Sequence, residues 1–302
     1  MEVSIQSGFW LVSSAALVLA YFLDQHPAGP NLWRSIFRWG KMRVGVLKEP
    51  KQFYEVPKRW FQHFYPIGMA VNFLLLVLLI QKVFFGEQWP PLLSSVLQQL
   101  QHPVSFTGIT RAEPVLLVLA MELTQVCRRC YETFCVHVFS EKATMTLLHY
   151  LLGYVYYLVV GPCILAGTNF QHLRVSDSIS AYDWAVYGSA LLMFVSGSVM
   201  QHKSFRILAA LRTDVKGKDK QHQYLVPEGG LFDKVSCPHF LAEIIIYFSF
   251  CVVFRFQHTV ILSLFVFVFV NQVIAALITY QWYCKNFPGY SEKRYAVFPF
   301  LL

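Results

Sequence analysis

Apolar residues in this chain gather into long runs instead of alternating with polar ones at strand or helix spacing. Stretches such as 73–80 and 261–270 are almost wholly apolar, a pattern no soluble helix needs. About 20 mostly apolar residues cross a bilayer, and seven windows qualify, at roughly 8–23, 66–85, 112–135, 144–166, 183–201, 240–256 and 259–280. Only Arg255, Gln257 and His258 break the run between the last two, which predicts a tight helical hairpin. The first window lacks a basic flank and a small-x-small cleavage site, so it reads as a retained span. The expected fold is all-α and polytopic, with about seven transmembrane helices and six as the nearest alternative. Residues 1–302 are expected to form a single integral membrane domain.

Charge orients the spans. Of the 25 lysines and arginines, 21 fall on one side of a seven-span chain, all but Lys82, Arg111, Arg174 and Arg255. The positive-inside rule then puts the amino terminus in the lumen and the carboxyl terminus in the cytosol. An even span count would spoil the asymmetry. Two long cytosolic segments result, 24–65 and 202–239, and loops of this size are where ligands are usually met.

Composition agrees: 56% of residues are hydrophobic and 14% charged, against about a quarter charged in soluble domains. A net charge of +8 fits either anionic lipid headgroups or a phosphate-rich cofactor, and charge alone leaves both open. The seven cysteines lack disulfide-framework spacing, and Cys127 and Cys130 form a CxxC with no partner pair. None of the ten histidines stands in a clustered HxxxH or HxxHH box, so no metal is expected. There is no GxGxxG after a strand, no P-loop and no G-x-S-x-G elbow. A Rossmann domain is therefore not expected, and a nucleotide would have to be gripped by side chains between helices.

The densest local pattern is YLVPEGGLFDKVSCPHFLAE, residues 224–243. Gly229-Gly230 supplies a turn able to reach positive φ. Ser236, Cys237 and Pro238 then open a helix whose free N–H groups suit an anion. Glu243 enters the bilayer on that helix, where an ionisable group marks function by default. Upstream, residues 201–212 continue the fifth helix into the cytosol, with Lys203, Arg206 and Arg212 available for phosphate. Glu55 stands beside a proline, a basic pair and an aromatic cluster at the membrane face.

Those residues carry a resemblance. The 224–243 run, the preceding ILAALR (207–212) and the closing QWYCKNFPGYSEKRYAVFPFLL (281–302) resemble the carboxyl-terminal half of steroid 5α-reductases. VPKRWFQHFY (56–65) and RRCYETFCVHVFS (128–140) are similar to the type 3 branch of that family, the polyprenol (polyprenal) reductases. The similarity covers most of residues 50–302, with 150–302 the region that carries the cofactor motifs.

The resemblance implies a seven-helix enzyme of the endoplasmic reticulum membrane that takes NADPH from the cytosol. It would reduce the double bond beside the carbonyl of a polyprenyl aldehyde held in the bilayer. The product is the dolichol-type lipid used in N-glycosylation, and 3-oxo-Δ4 steroids are the related substrates. Carried over residue by residue, cofactor contacts fall on Gln201, Arg212, Tyr224, His239 and Tyr283, with Lys203 and Arg294 added as phosphate partners. The acidic pair falls on Glu55 and Glu243, Glu55 as the acid that polarises the carbonyl and Glu243 as the group that orients the nicotinamide amide. Position 239 is His where the family usually has Asn, and position 280 is Tyr where it commonly has His. The substrate-facing Tyr of steroid members aligns with Gln125 or Val126, with Tyr131 nearby on the same helix as the candidate replacement. Neither nucleic acid nor flavin is implied, and oligomeric state is not set.

Two alternatives differ in class. Isoprenylcysteine carboxyl methyltransferases carry an R-H-P-x-Y run and a Glu near a carboxyl-terminal helix hairpin, but the run here is Ser236-Cys-Pro-His-Phe. A transporter would show repeated halves and broken helices, and neither is present.

Overall fold

The structure is a computed structural model that describes residues 4–26, 55–91, 93–95, 109–140, 143–166, 168–170, 172–213, 225–290 and 294–301. Among these, seven long helices run in chain order: α1 (Ile5–Gln25), α2 (Phe64–Phe85), α3 (Ala112–Tyr131), α4 (Leu147–Leu165), α5 (Ala181–Ala210), α6 (Pro238–Val253) and α7 (Thr259–Asn286). Each expected window holds one of them. Four stretches are long and apolar enough to cross a membrane, Ile5–Gln25, Lys58–Phe85, Leu147–Leu165 and Thr259–Asn286, which makes this a multi-pass membrane protein. Helix α6 is apolar but only 16 residues long. Helix α3 falls outside the criterion because Glu113, Glu122, Arg128 and Arg129 lie along it.

Boundaries differ from expectation where polar chemistry decides them. The fourth window was expected to begin at 144, but Thr144–Thr146 form a strand (β2) paired antiparallel with Glu55–Pro57 (β1), Glu55 opposite Thr146. The Thr146 hydroxyl then accepts from His149 N–H and starts α4. A 3₁₀ turn, Lys58–His63, leads from the ribbon into α2. After α3 the chain widens into a π turn over Glu132–Val136, so the helical path ends one residue beyond the expected 135. Helix α5 continues beyond the fifth window to Ala210, as the 201–212 stretch predicts, and α7 reaches Asn286.

The hairpin between α6 and α7 is as tight as expected. Arg255 and Phe256 both take positive φ, which is costly for residues with a Cβ. Local bonds offset that cost: Arg255 pairs with Asp183 and lies 4.8 Å over the Tyr182 ring. The His258 ring accepts from Ile261 N–H and caps α7.

Helix α5 packs along α6, α1 along α7, and α2 along both α3 and α4. The α5–α6 crossing is close because Gly197 has no side chain; a Cβ there would sit 3.2 Å from the Ala242 carbonyl oxygen and 3.0 Å from Ile246. One turn on from Gly197 comes Gln201, and beside Ala242 comes Glu243. The close crossing therefore sets these two side chains against each other.

The ion pairs among the described residues fall into two groups, one toward each end of the bundle. At one end Arg111, Arg255 and Asp183 share a cluster, with Asp183 also closing the capping box of α5 through Ser180. At the other end lie the ribbon, the π turn and the start of α6.

Candidate active site

Three helices converge at Gln201. Its side-chain N–H donates to a Glu243 carboxylate oxygen and, at 3.3 Å, to the His239 carbonyl oxygen. Its amide oxygen accepts from Arg128, which also donates to the amide oxygen of Gln125. The Gln125 N–H group in turn reaches Glu243 at 3.4 Å. Gln125 and Gln201 are buried, so a pair of side-chain amides inside the bundle is held in one orientation by a guanidinium on one side and a carboxylate on the other.

Glu132 anchors that guanidinium. Its side chain is wholly buried, and it accepts from Arg128, from Arg129 at 2.6 Å, and shares a 3.1 Å bond with the His202 ring. Arg129 donates at 3.0 Å to the Tyr65 hydroxyl and lies 4.2 Å over the Phe205 ring, so α2 and α5 are tied to the same pair of arginines. Just past the π turn, burial together with the nearby Arg129 charge lowers His137 to about 4. That ring is neutral at physiological pH and packs edge-on against Phe205 at 4.5 Å.

A second network joins the chain end to the start of α6. Backbone N–H groups of Ser236 and Cys237 donate to the carbonyls of Tyr295 and Ala296. The Tyr290 hydroxyl donates to Ser236 at 2.9 Å, its ring stacks on Tyr283 at 4.8 Å, and the Arg294 guanidinium lies 5.1 Å over it. Burial pushes the Tyr290 hydroxyl above its ordinary pKa. Gly229 and Gly230 both take positive φ, as the motif predicts.

The structure thus brings Gln201, His239 and Glu243 together, and separately Tyr283 with Arg294. The His239 ring lies among Phe205, Phe232 and Phe240. Arg212 donates to the Val138 carbonyl, linking the end of α5 to the stretch after the π turn. Lys203 is exposed on α5. Tyr131 is 58% exposed, with its ring stacked toward His202 at 6.5 Å, outside the buried centre. Glu55 sits on the ribbon, where the Thr144 hydroxyl donates to it at 2.8 Å. Tyr224 lies outside the described residues.

Sequence reading passed over Tyr65, Glu122, Glu132 and His202, and took Arg128 and Arg129 only as topogenic charges. A signal was present. Glu122, Gln125, Arg128, Arg129 and Glu132 recur at three- and four-residue spacing, which is one face of a helix.

Comparison with known proteins points one way. Residues 143–302 match the family model described as 3-oxo-5-alpha-steroid 4-dehydrogenase. A polyprenal reductase of Caenorhabditis elegans is 36% identical over 253 residues, covering 82% of this chain and 80% of its own. Polyprenal reductases of Danio rerio (31%, 99% of this chain and 98% of theirs) and Homo sapiens (32%, 97% and 94%) match almost end to end. These similarities leave the methyltransferase alternative without support. With its carboxyl-terminal half matched by the family model and relatives above 30% identity over most of its length, the chain belongs to the 3-oxo-5-alpha-steroid 4-dehydrogenase family, oxidoreductases acting on CH–CH groups.

Proposed function

We propose that this protein is an NADPH-dependent polyprenal reductase, saturating the double bond next to the aldehyde in the route from polyprenol to dolichol that serves N-glycosylation. A 3-oxo-Δ4 steroid is the second substrate class. The reading takes the chain as one domain of seven spans in the endoplasmic reticulum membrane, amino terminus lumenal, carboxyl terminus cytosolic, with 150–302 carrying the cofactor motifs. Its strongest structural support is the buried Gln125–Gln201–Glu243–Arg128 junction in a chain of this family.

The residues present fit a phosphate-bearing cofactor on a structural observation. Nη1 of Arg294 is buried without a hydrogen-bond partner among the described residues, and a guanidinium N–H is a strong donor to phosphate oxygen. We assign phosphate contacts to Arg294, Arg212 and Lys203, and contacts along the rest of the cofactor to Gln201, Tyr224, His239 and Tyr283. NADPH, when bound, supplies the hydride. Glu243, held by two amide donors, presents its carboxylate in a fixed position and orients the nicotinamide amide. Tyr131, stacked toward His202 at the end of α3, is kept as the candidate hydroxyl beside the substrate. Glu55 is one acid able to polarise the aldehyde carbonyl, and a second competes with it.

Purified protein in nanodiscs, given NADPH with polyprenal, polyprenol or a 3-oxo-Δ4 steroid, tests this. Saturated lipid from polyprenal is the expected product. No NADPH oxidation with any of the three, in protein shown to be folded, would sink the assignment.

A further inference from the structure

Along the polar face of α3, Gln125, Arg128, Arg129 and Glu132 are all bonded to neighbours. Glu122, at the inner end of the face, is not. It is 0% exposed, and neither carboxyl oxygen has a hydrogen-bond partner among the described residues. The titratable groups facing it are Tyr156 of α4 and Tyr247 and Glu243 of α6. None is a cation. Nearby, Arg128 and Arg129 are matched in charge by Glu132 and Glu243. An ionised Glu122 would be an uncompensated anion in apolar surroundings, so the group is carried as the neutral acid. A neutral acid has an O–H to donate, and here no described residue receives it. An apolar side chain of the same volume would be more stable at this position. An intramembrane acid kept under those conditions marks a ligand site. It lies three residues, or about 4.5 Å of helix rise, inward from Gln125, on the bilayer side of the junction.

We propose that Glu122 donates its hydrogen bond to the carbonyl oxygen of the lipid aldehyde and transfers its proton there as the double bond is reduced. This rests on the reductase reading, which supplies reduced nicotinamide as the two-electron donor. Arrival of hydride at the β-carbon moves the C=C pair into the bond between α-carbon and carbonyl carbon. The C=O pair moves onto oxygen, which takes the Glu122 proton and gives a neutral enol. The enol O–H then returns its proton to the Glu122 carboxylate while the α-carbon takes one from a solvent hydronium ion, leaving water, so that each turnover consumes one solvent proton. The saturated aldehyde leaves and the acid is restored.

The test uses full-length protein in nanodiscs, wild type beside E122M, E122Q and E55Q. A short isoprenoid enal is bound together with oxidised cofactor, and the infrared C=O stretch of the enal is read. Wild type and E122Q, which still donates, should lower that stretch, and E122M should return it to the free value. In turnover, E122Q should lose about 10²-fold in kcat through the missing proton transfer, and E122M about 10²–10³-fold through the missing donor. E122M should also melt higher than wild type, an outcome no structural role predicts. The proposal is overturned if E122M keeps wild-type kcat and a lowered stretch, or melts below wild type. It is equally overturned if E55Q abolishes the carbonyl shift while E122M preserves it. Wild-type protein that oxidises no NADPH with the enal defeats the reductase reading itself, a separate result.

Discussion

Replacing Glu132 by Gln tests whether the arginine pair is held as the geometry implies. The carboxylate is wholly buried and answers three donors, with Arg128 and Arg129 side chains only 18% and 8% exposed. Gln keeps the shape but loses the charge, and its NH₂ must face one of the two guanidinium groups, donor against donor. Removing one partner of a buried ion pair costs about 3–5 kcal/mol. The lower end applies here, because Arg128 keeps Gln125 and Gln201 and Arg129 keeps the Tyr65 hydroxyl and the Phe205 face. At roughly 2–4 °C per kcal/mol for a chain of this size, detergent-solubilised E132Q should melt roughly 6–12 °C below wild type. Screening acts weakly on buried charges, so the drop should be the same at low and high salt. Freed from its anchor, Arg128 no longer fixes the two amides, and turnover should fall with stability. A drop under about 2 °C, or one that disappears with added salt, would mean the pair is solvated and the anchor role is wrong.

Two further outcomes follow from packing and titration. His258 is buried with its ring nitrogens bonded to Ile164 O and Ile261 N–H, and burial lowers it from 6.5 to about 4. Between those values the unfolded chain takes up a proton that the folded chain refuses, so stability is full above 6.5 and falls as pH drops toward 4, by about 3 kcal/mol for this residue alone. H258Q should flatten that part of the melting-temperature profile relative to wild type, and an unchanged slope would remove His258 as its source. At Gly153 an added Cβ would sit 2.5 Å from two ring carbons of buried Phe64, so G153A should cost about 1–3 kcal/mol by overpacking. F64L in the same chain should recover most of the loss; failure to recover would place the strain elsewhere.

How far the sequence could be read depended on what signal each feature leaves. The window 66–85 matches α2 closely because its apolar run stops at a residue able to take the left-handed conformation, and Gly86 does so with φ 71. The start of α7 was readable because Arg255, Gln257 and His258 interrupt the apolar run, and the His258 ring caps the helix. The β1–β2 ribbon was not, since it pairs segments about ninety positions apart with no alternation long enough to show. The extension of α5 past the bilayer was legible in residues 201–212, where the composition turns polar with no glycine or proline to stop the helix. Within the site, Gln201, His239 and Glu243 stood in or beside a dense motif. Glu122 and Glu132 did not, because hydropathy averaged over a window cancels a polar stripe against the apolar faces around it. A moment taken at helical spacing along 112–136 would have separated them.

On the proposed function, that stripe also sets where the chemistry lies. A nucleotide's phosphates cannot be taken into hydrocarbon, and a polyprenyl tail cannot leave it, so cofactor and lipid can meet only where each enters partway from its own side. The polar face of α3 runs ten residues from Glu132 to Glu122, about 15 Å of helix rise. That is about half of a hydrocarbon core some 30 Å thick. Its outer end carries the charged groups, Arg128, Arg129 and Glu132, which an aqueous ligand tolerates. Its middle carries neutral amides, and its inner end an acid with no charge to balance it. The order from charged to neutral-polar to unpartnered acid is the order in which a phosphate, a nicotinamide and a lipid carbonyl would be met. It is also the order in which membrane depth makes each group more costly to keep without a ligand.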